Sequence, residues 1–140
     1  METLYALLAD YANLSQEGKL NVLGIFGKLV ATKVPCTHPQ LYLVLRFRAT
    51  PGEKGSERRL QVKLVDEDGR VTQTLPPIPL QIPADSPGIF AEVNAILQLN
   101  GLTFDRFGSY QFEVLIDGDT KAVIPFVVEP AQPEPVAGRE

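Results

Sequence analysis

Cys36 and His38 are the pair in this chain best suited to nucleophilic chemistry. They are its single cysteine and single histidine, set two apart in V-P-C-T-H-P. On an extended segment they share a side, where a thiol and an imidazole would be available as nucleophile and base or as metal ligands. Side chains two apart on a strand splay instead of meeting, however. A Cys/His transition-metal site also needs about four ligands, which the chain does not supply. Val34 to Pro39 therefore reads as a connector bracketed by prolines. Serine and threonine nucleophiles have no base beyond His38, and no G-x-S-x-G elbow occurs.

Carboxylates offer the second chemistry. Asp66-Glu67-Asp68-Gly69 and Asp117-Gly118-Asp119 make two acidic turns. In C2-like sandwiches, loops of this kind bind calcium, which takes about six to eight oxygen ligands. Hairpin turns with no ligand have the same composition, and neither segment matches an EF-hand loop. What decides is whether both turns share one end of the fold. Asp10 closes an apolar run in D-Y-A-N, and the expectation is a turn cap, since Asp side chains satisfy nearby backbone N–H groups. General acid–base work by paired carboxylates needs only proximity, and no spacing here points to it.

The basic residues form no run. Arg46, Arg48, Arg58, Arg59 and Lys63 are nevertheless close enough in sequence for a local patch. Arg46, Arg48, Arg59 and Lys63 are the candidate partner-binding residues. If Pro51–Glu57 joins two strands as a hairpin, Arg48 falls near Arg59 and Arg46 near Gln61. Opposed like charges destabilise a strand pair, so Glu113 is expected to offset Arg46 or Arg48 by an ion pair.

The elements that position these residues are strands. Tyr110, Phe112, Val114 and Ile116 alternate with polar residues, Asp117-Gly118 turns the chain, and Ala122, Ile124, Phe126 and Val128 resume the pattern. Period-two alternation around a D-G turn predicts a β-hairpin with one buried face. Tyr110 is expected to tie back to the preceding corner, as in immunoglobulin-like sandwiches. Leu41, Leu43, Leu45, Phe47 and Ala49 form the cleanest inward row, and Leu60, Val62 and Leu64 repeat it. Lys19 to Lys33 reads as one long strand in which Gly24 and Gly27 mark a bulge or a passage between sheets. Leu4–Ala9 and Ile89–Leu99 fit either a helix or a strand, and the strand is favoured by their neighbours. Asn100-Gly101 then reads as a turn. Five prolines between Pro76 and Pro87 predict an edge strand or an extended stretch. The whole is an all-β antiparallel sandwich of about eight strands, Ig-like or C2-like, with little or no helix. It occupies residues 1–129 as a single domain, and 130–140 is a disordered Pro-rich tail.

Composition supports a packed domain: 44% hydrophobic and 21% charged residues argue against global disorder. A net charge of −4 gives no electrostatic case for nucleic acid or an anionic membrane. No apolar run is long enough to span a bilayer. One cysteine and no signal-peptide pattern suggest the cytoplasm.

Three segments carry a resemblance: A-L-L-A-D-Y-A-N-L-S-Q-E-G-K-L-N-V-L-G-I-F (Ala6–Phe26), H-P-Q-L-Y-L-V-L-R (His38–Arg46) and L-Q-L-N-G-L-T-F-D-R-F-G-S-Y-Q-F-E-V-L-I-D-G (Leu97–Gly118). Together they resemble an uncharacterised bacterial family of small β-sandwich proteins, a domain of unknown function. The resemblance implies one domain and a bacterial cytoplasmic setting, and it transfers no catalytic or binding residue. The resulting expectation is a non-enzymatic module that binds a protein or itself, without a cofactor. The alternative is a calcium-dependent binder or a small enzyme using loop carboxylates.

Overall fold

A computed structural model describes residues 1–132. It holds ten strands: β1 (Glu2–Leu14), β2 (Leu20–Ile25), β3 (Lys28–Ala31), β4 (Cys36–Ala49), β5 (Glu57–Asp66), β6 (Val71–Thr74), β7 (Ile78–Gln81), β8 (Ala91–Phe104), β9 (Gly108–Ile116) and β10 (Asp119–Pro130). Its helical content is one 3₁₀ turn at Pro51–Glu53. Two sheets pack face to face. The four-stranded sheet runs β2-β1-β4-β8; the larger runs β3-β10-β9-β5-β6, with β7 also paired to β5. Pairing is antiparallel except at β3–β10, which is parallel. The β-sandwich expectation holds.

The inward rows follow the alternation. Leu41, Leu43, Leu45, Phe47 and Ala49 are fully buried against Leu60, Val62 and Leu64 of β5 and Phe112 and Val114 of β9. Asp117 and Gly118 both take positive φ, 50° and 87°, as a two-residue type I′ turn between right-twisted strands requires. The Tyr110 hydroxyl donates to the Arg106 carbonyl at 2.7 Å, tying the start of β9 to its corner.

Gly24 and Gly27 sit where the chain leaves one sheet for the other, β2 belonging to the first and β3 to the second. The expected single strand is thus two. A Cβ on Gly24 would run into the Asp10 carboxylate. Asp10 is therefore an exposed mid-strand residue facing that glycine, not a turn cap, because β1 continues to Leu14. Both ambiguous segments are strands. Consecutive buried residues, Leu8 and Ala9, show β1 covered on both faces there, while Tyr5 and Tyr11 remain exposed. The prolines leave β7 a four-residue edge strand.

Three further expectations fail. Asn100-Gly101 is no turn. β8 runs through it to Phe104, paired with Gln40 at Asn100 and with His38 at Leu102, and Gly101 absorbs the irregularity with φ 67°. Likewise β4 begins at Cys36, so most of the expected connector is strand. Finally, β4 and β5 do not pair. The 3₁₀ turn carries the chain across to the second sheet, where β5 joins β9, β6 and β7. A seven-residue loop leaves room for a sheet-to-sheet crossing as well as for a hairpin. β10 ends at Pro130, and residues 133–140 of the expected tail lie outside the described residues.

Candidate functional site

The outer face of the four-stranded sheet carries a second, smaller apolar cluster. Tyr42 and Val44 of β4 are buried there with Ala12 of β1, and Leu7, Leu20, Val22 and Ile96 pack against them. Ladder register alone would carry the far half of the β1–β2 hairpin away from these residues, because β1 leaves β4 after Ala9–Tyr42. The exposed pair Asp10 and Tyr11 marks the bend. Beyond it the hairpin folds back over its own sheet, and Tyr11 meets Tyr42 edge to face at 5.2 Å.

This fold-over builds a cleft. Gly18 and Lys19 at the hairpin tip come to lie beside Arg46 and Arg48, with Tyr5, Leu7 and Ile25 along the wall, in a volume of 670 Å³. A second depression of 770 Å³ shares Gly18, Arg46, Arg48 and Glu92 and extends to Phe90 and Asn94. The two share these residues and adjoin as one groove lined by polar and apolar side chains. Tyr5, Ile25 and Phe90 in that lining are 53%, 61% and 47% exposed, large for apolar side chains on a folded protein.

Both arginines are held in place. Arg46 is ion-paired with Glu92 and donates to Asn94 Oδ1 at 3.3 Å. Arg48 reaches Glu2 at 3.4 Å and lies 5.6 Å from the centre of the Phe90 ring, a cation–π distance. The expected pairing of either arginine with Glu113 fails. Glu113 belongs to the other sheet, where it stands opposite Lys63.

The four candidate partner-binding residues are not brought together. Arg46 and Arg48 share the groove, whereas Arg59 and Lys63 lie on β5 in the second sheet. The Arg59 backbone N–H donates to Asp117 Oδ1 at 2.9 Å. Composition could not reveal this split, since it depends on which sheet β5 joins. Phe90, which fits a helical stripe in the sequence, stands immediately before β8 and was not marked as a site residue. Tyr5 joins the site through the β1–β4 ladder, opposite Arg46, and Lys19 through the hairpin bend; no short motif encodes either.

The acidic turns also separate. Asp66 pairs with Tyr110 at one end of the β5–β9 ladder, and Leu60 pairs with Ile116 at the other, next to Asp117. They occupy opposite ends of the sheet. Asp66 Oδ1 accepts the backbone N–H groups of Arg70 at 2.9 Å and Asp68 at 3.0 Å. Arg106 spans Asp66 and Asp68 at 3.3 and 2.9 Å. The Arg70 N–H leads these effects in holding the Asp66 carboxyl below its ordinary range. The Arg59 N–H, with the Arg58 side chain, does the same for Asp117. These carboxylates organise turns. Among the described residues no three His, Cys, Asp or Glu side chains converge as a metal site would need. Cys36 and His38 stand opposite Phe104 and Leu102, with Cys36 against the main core.

Likenesses to solved structures are weak. A β-glucosidase from Listeria innocua in complex with glucose aligns over 74% of this chain and 15% of its own, at 12% identity and a TM-score of 0.45. An alkylpurine DNA glycosylase, AlkC, from Pseudomonas fluorescens, bound to DNA containing an abasic site analog, aligns over 73% and 27%, at 12% identity and a TM-score of 0.39. The chain thus spans a small part of either protein. No curated protein sequence matches it. No described helix is long and apolar enough to cross a membrane. A family model described as a family of unknown function (DUF6941) matches residues 4–129, and the chain belongs to that family.

Proposed function

We propose that this chain is a non-enzymatic protein-interaction module, and that the groove on the outer face of its four-stranded sheet takes an apolar partner segment carrying acidic residues. The observation behind this reading is the placement of exposed Tyr5, Ile25 and Phe90 around Arg46 and Arg48. Aromatic and arginine side chains supply most of the energy at protein interfaces. Lys19, Arg46 and Arg48 are each ion-paired within the chain, with Glu17, Glu92 and Glu2, so acidic residues of a partner would bind by replacing these carboxylates at the same cations. The lone, half-buried Cys36 fits a reducing compartment such as the cytoplasm.

Selection from a displayed random peptide library tests the reading. Enriched peptides should combine apolar anchors with Asp or Glu and bind more weakly as salt rises. Arg48→Gln and Phe90→Ala should each weaken them about tenfold, the 1–2 kcal/mol expected of anchor truncation. Failure to enrich any sequence, or binding indifferent to both substitutions, would overturn the proposal.

A further inference from the structure

Three of the four sheet edges are blunted in the ways soluble proteins use. β6 and β7 are four residues each, with Pro79 in β7. β3 is four residues long and begins with Lys28. β2 has six residues and is bent at Gly24. β8 differs. It is fourteen residues long and, among the described residues, bonded to β4 on one side and to no strand on the other. From Val93 to Phe104 it carries neither a charged residue nor a proline. Beyond Ala91, which is fully buried, its inward row is slightly opened: Val93, Ala95 and Leu99 keep 5–8% exposure, and Leu97 is half-buried. The inward residues of neighbouring β4 are at 0%.

A bare edge of this kind is a template for another strand, and the sequence of β8 specifies which. Directly opposed residues of an antiparallel pair share a face. Regular alternation on β8 holds from Ala91 to Asn100. It breaks at the exposed pair Asn100-Gly101 and resumes out of phase at buried Leu102 and Phe104. Within that stretch one two-fold register matches like with like. With Ile96 opposite Ile96, Asn94 faces Gln98 and Glu92 faces Asn100 on the outer side, while Val93 faces Leu99 and Ala95 faces Leu97 on the inner. Amides meet amides, the carboxylate meets an amide donor, and apolar residues meet apolar ones. Centring on Ala95 instead sets Asn94 against Ile96. We infer that two copies of this chain join through β8, antiparallel about a two-fold axis at Ile96. The two four-stranded sheets become one of eight strands, and both grooves open on the same face. This pairing does not depend on what the grooves bind.

The test is carried out on the full chain. Light scattering should give twice the 15.4 kDa chain mass. In a Cys36→Ser background, Ile96→Cys treated with diamide should form a disulfide-linked dimer. Gln98→Cys should not link to itself, yet it should link when mixed with Asn94→Cys. Gln98→Lys, which keeps the β4 ladder and places charge in the seam, should shift the chain toward monomer at least tenfold in dissociation constant. A monomeric parent at every concentration, or a Gln98→Lys dimer as tight as the parent, would overturn the inference. Preferential self-linking through Gln98 would refute this register.

Discussion

Phe112 lies at one end of an aromatic row centred on Phe126. It is fully buried and stacks on Phe126 at 5.3 Å, and Phe126 in turn meets Tyr110 and Phe104 at 5.8 Å. Truncation leaves a cavity that rigid strands on three sides cannot close. Phe112→Ala should cost about 3–5 kcal/mol, read as a lower urea midpoint with an unchanged slope. Asp66 gives a different residue-scale test. Its carboxyl is depressed first by the Arg70 N–H and then by Asp68 and Arg106, from an ordinary 3.8. Folding therefore favours the ionised form. The stabilisation is complete well above 3.8 and disappears as pH falls through the lower folded-state value. Asp66→Asn should melt below the parent at neutral pH, and the two melting curves should converge in acid. A gap that persists or widens in acid would contradict this account of the turn.

At the scale of elements, what the sequence revealed was set by the range of the interaction concerned. The β9–β10 hairpin was legible because alternation and an Asp-Gly turn are both local. The inward row Leu41–Ala49 was legible for the same reason, as was the change of sheet near Gly24 and Gly27. Pairing of β4 with β8 and of β5 with β9 was not, because it joins segments some fifty residues apart. Asn100-Gly101 misled because the dipeptide that makes a turn also suits an irregular paired strand. The candidate groove was half legible: Arg46 and Arg48 were marked, while Tyr5 depends on the non-local β1–β4 pairing and Lys19 on the bent hairpin. That bend rests on small residues. Ala12 is 4% exposed beneath Leu20 and Val22, against Tyr42 and Val44. Ala12→Leu should overpack the contact by about 1–3 kcal/mol and lift the arm. Hydrogen exchange over Tyr11–Leu23 should then accelerate while that of β9 and β10 stays unchanged. Uniform acceleration would mean that the arm is continuous with the main core.

For the whole molecule, the consequence is that charges adjacent in sequence belong to different surfaces. The chain as a whole is acidic, and the groove gathers Lys19, Arg46 and Arg48 on one outer face, each beside a carboxylate. Arg48 acts there with Glu2 and Phe90. Arg59, on the opposite sheet, stands across from Pro79 at the β7 edge. With no shared partner, the two residues should behave independently. Each arginine, Arg48 half-buried and Arg59 exposed, should change stability by no more than about 0.5 kcal/mol when replaced by glutamine. The double variant Arg48→Gln/Arg59→Gln should equal the sum within about 0.3–0.5 kcal/mol. Capture of a groove-selected peptide should separate them further. Arg48→Gln should weaken it and reduce its salt dependence, because a charge facing the partner is lost. Arg59→Gln should leave both unchanged, since its charge faces away from the groove. Coupling larger than the additive margin, or equal loss of capture from both substitutions, would mean that the two sheets act through one surface and would contradict the separation of β4 from β5.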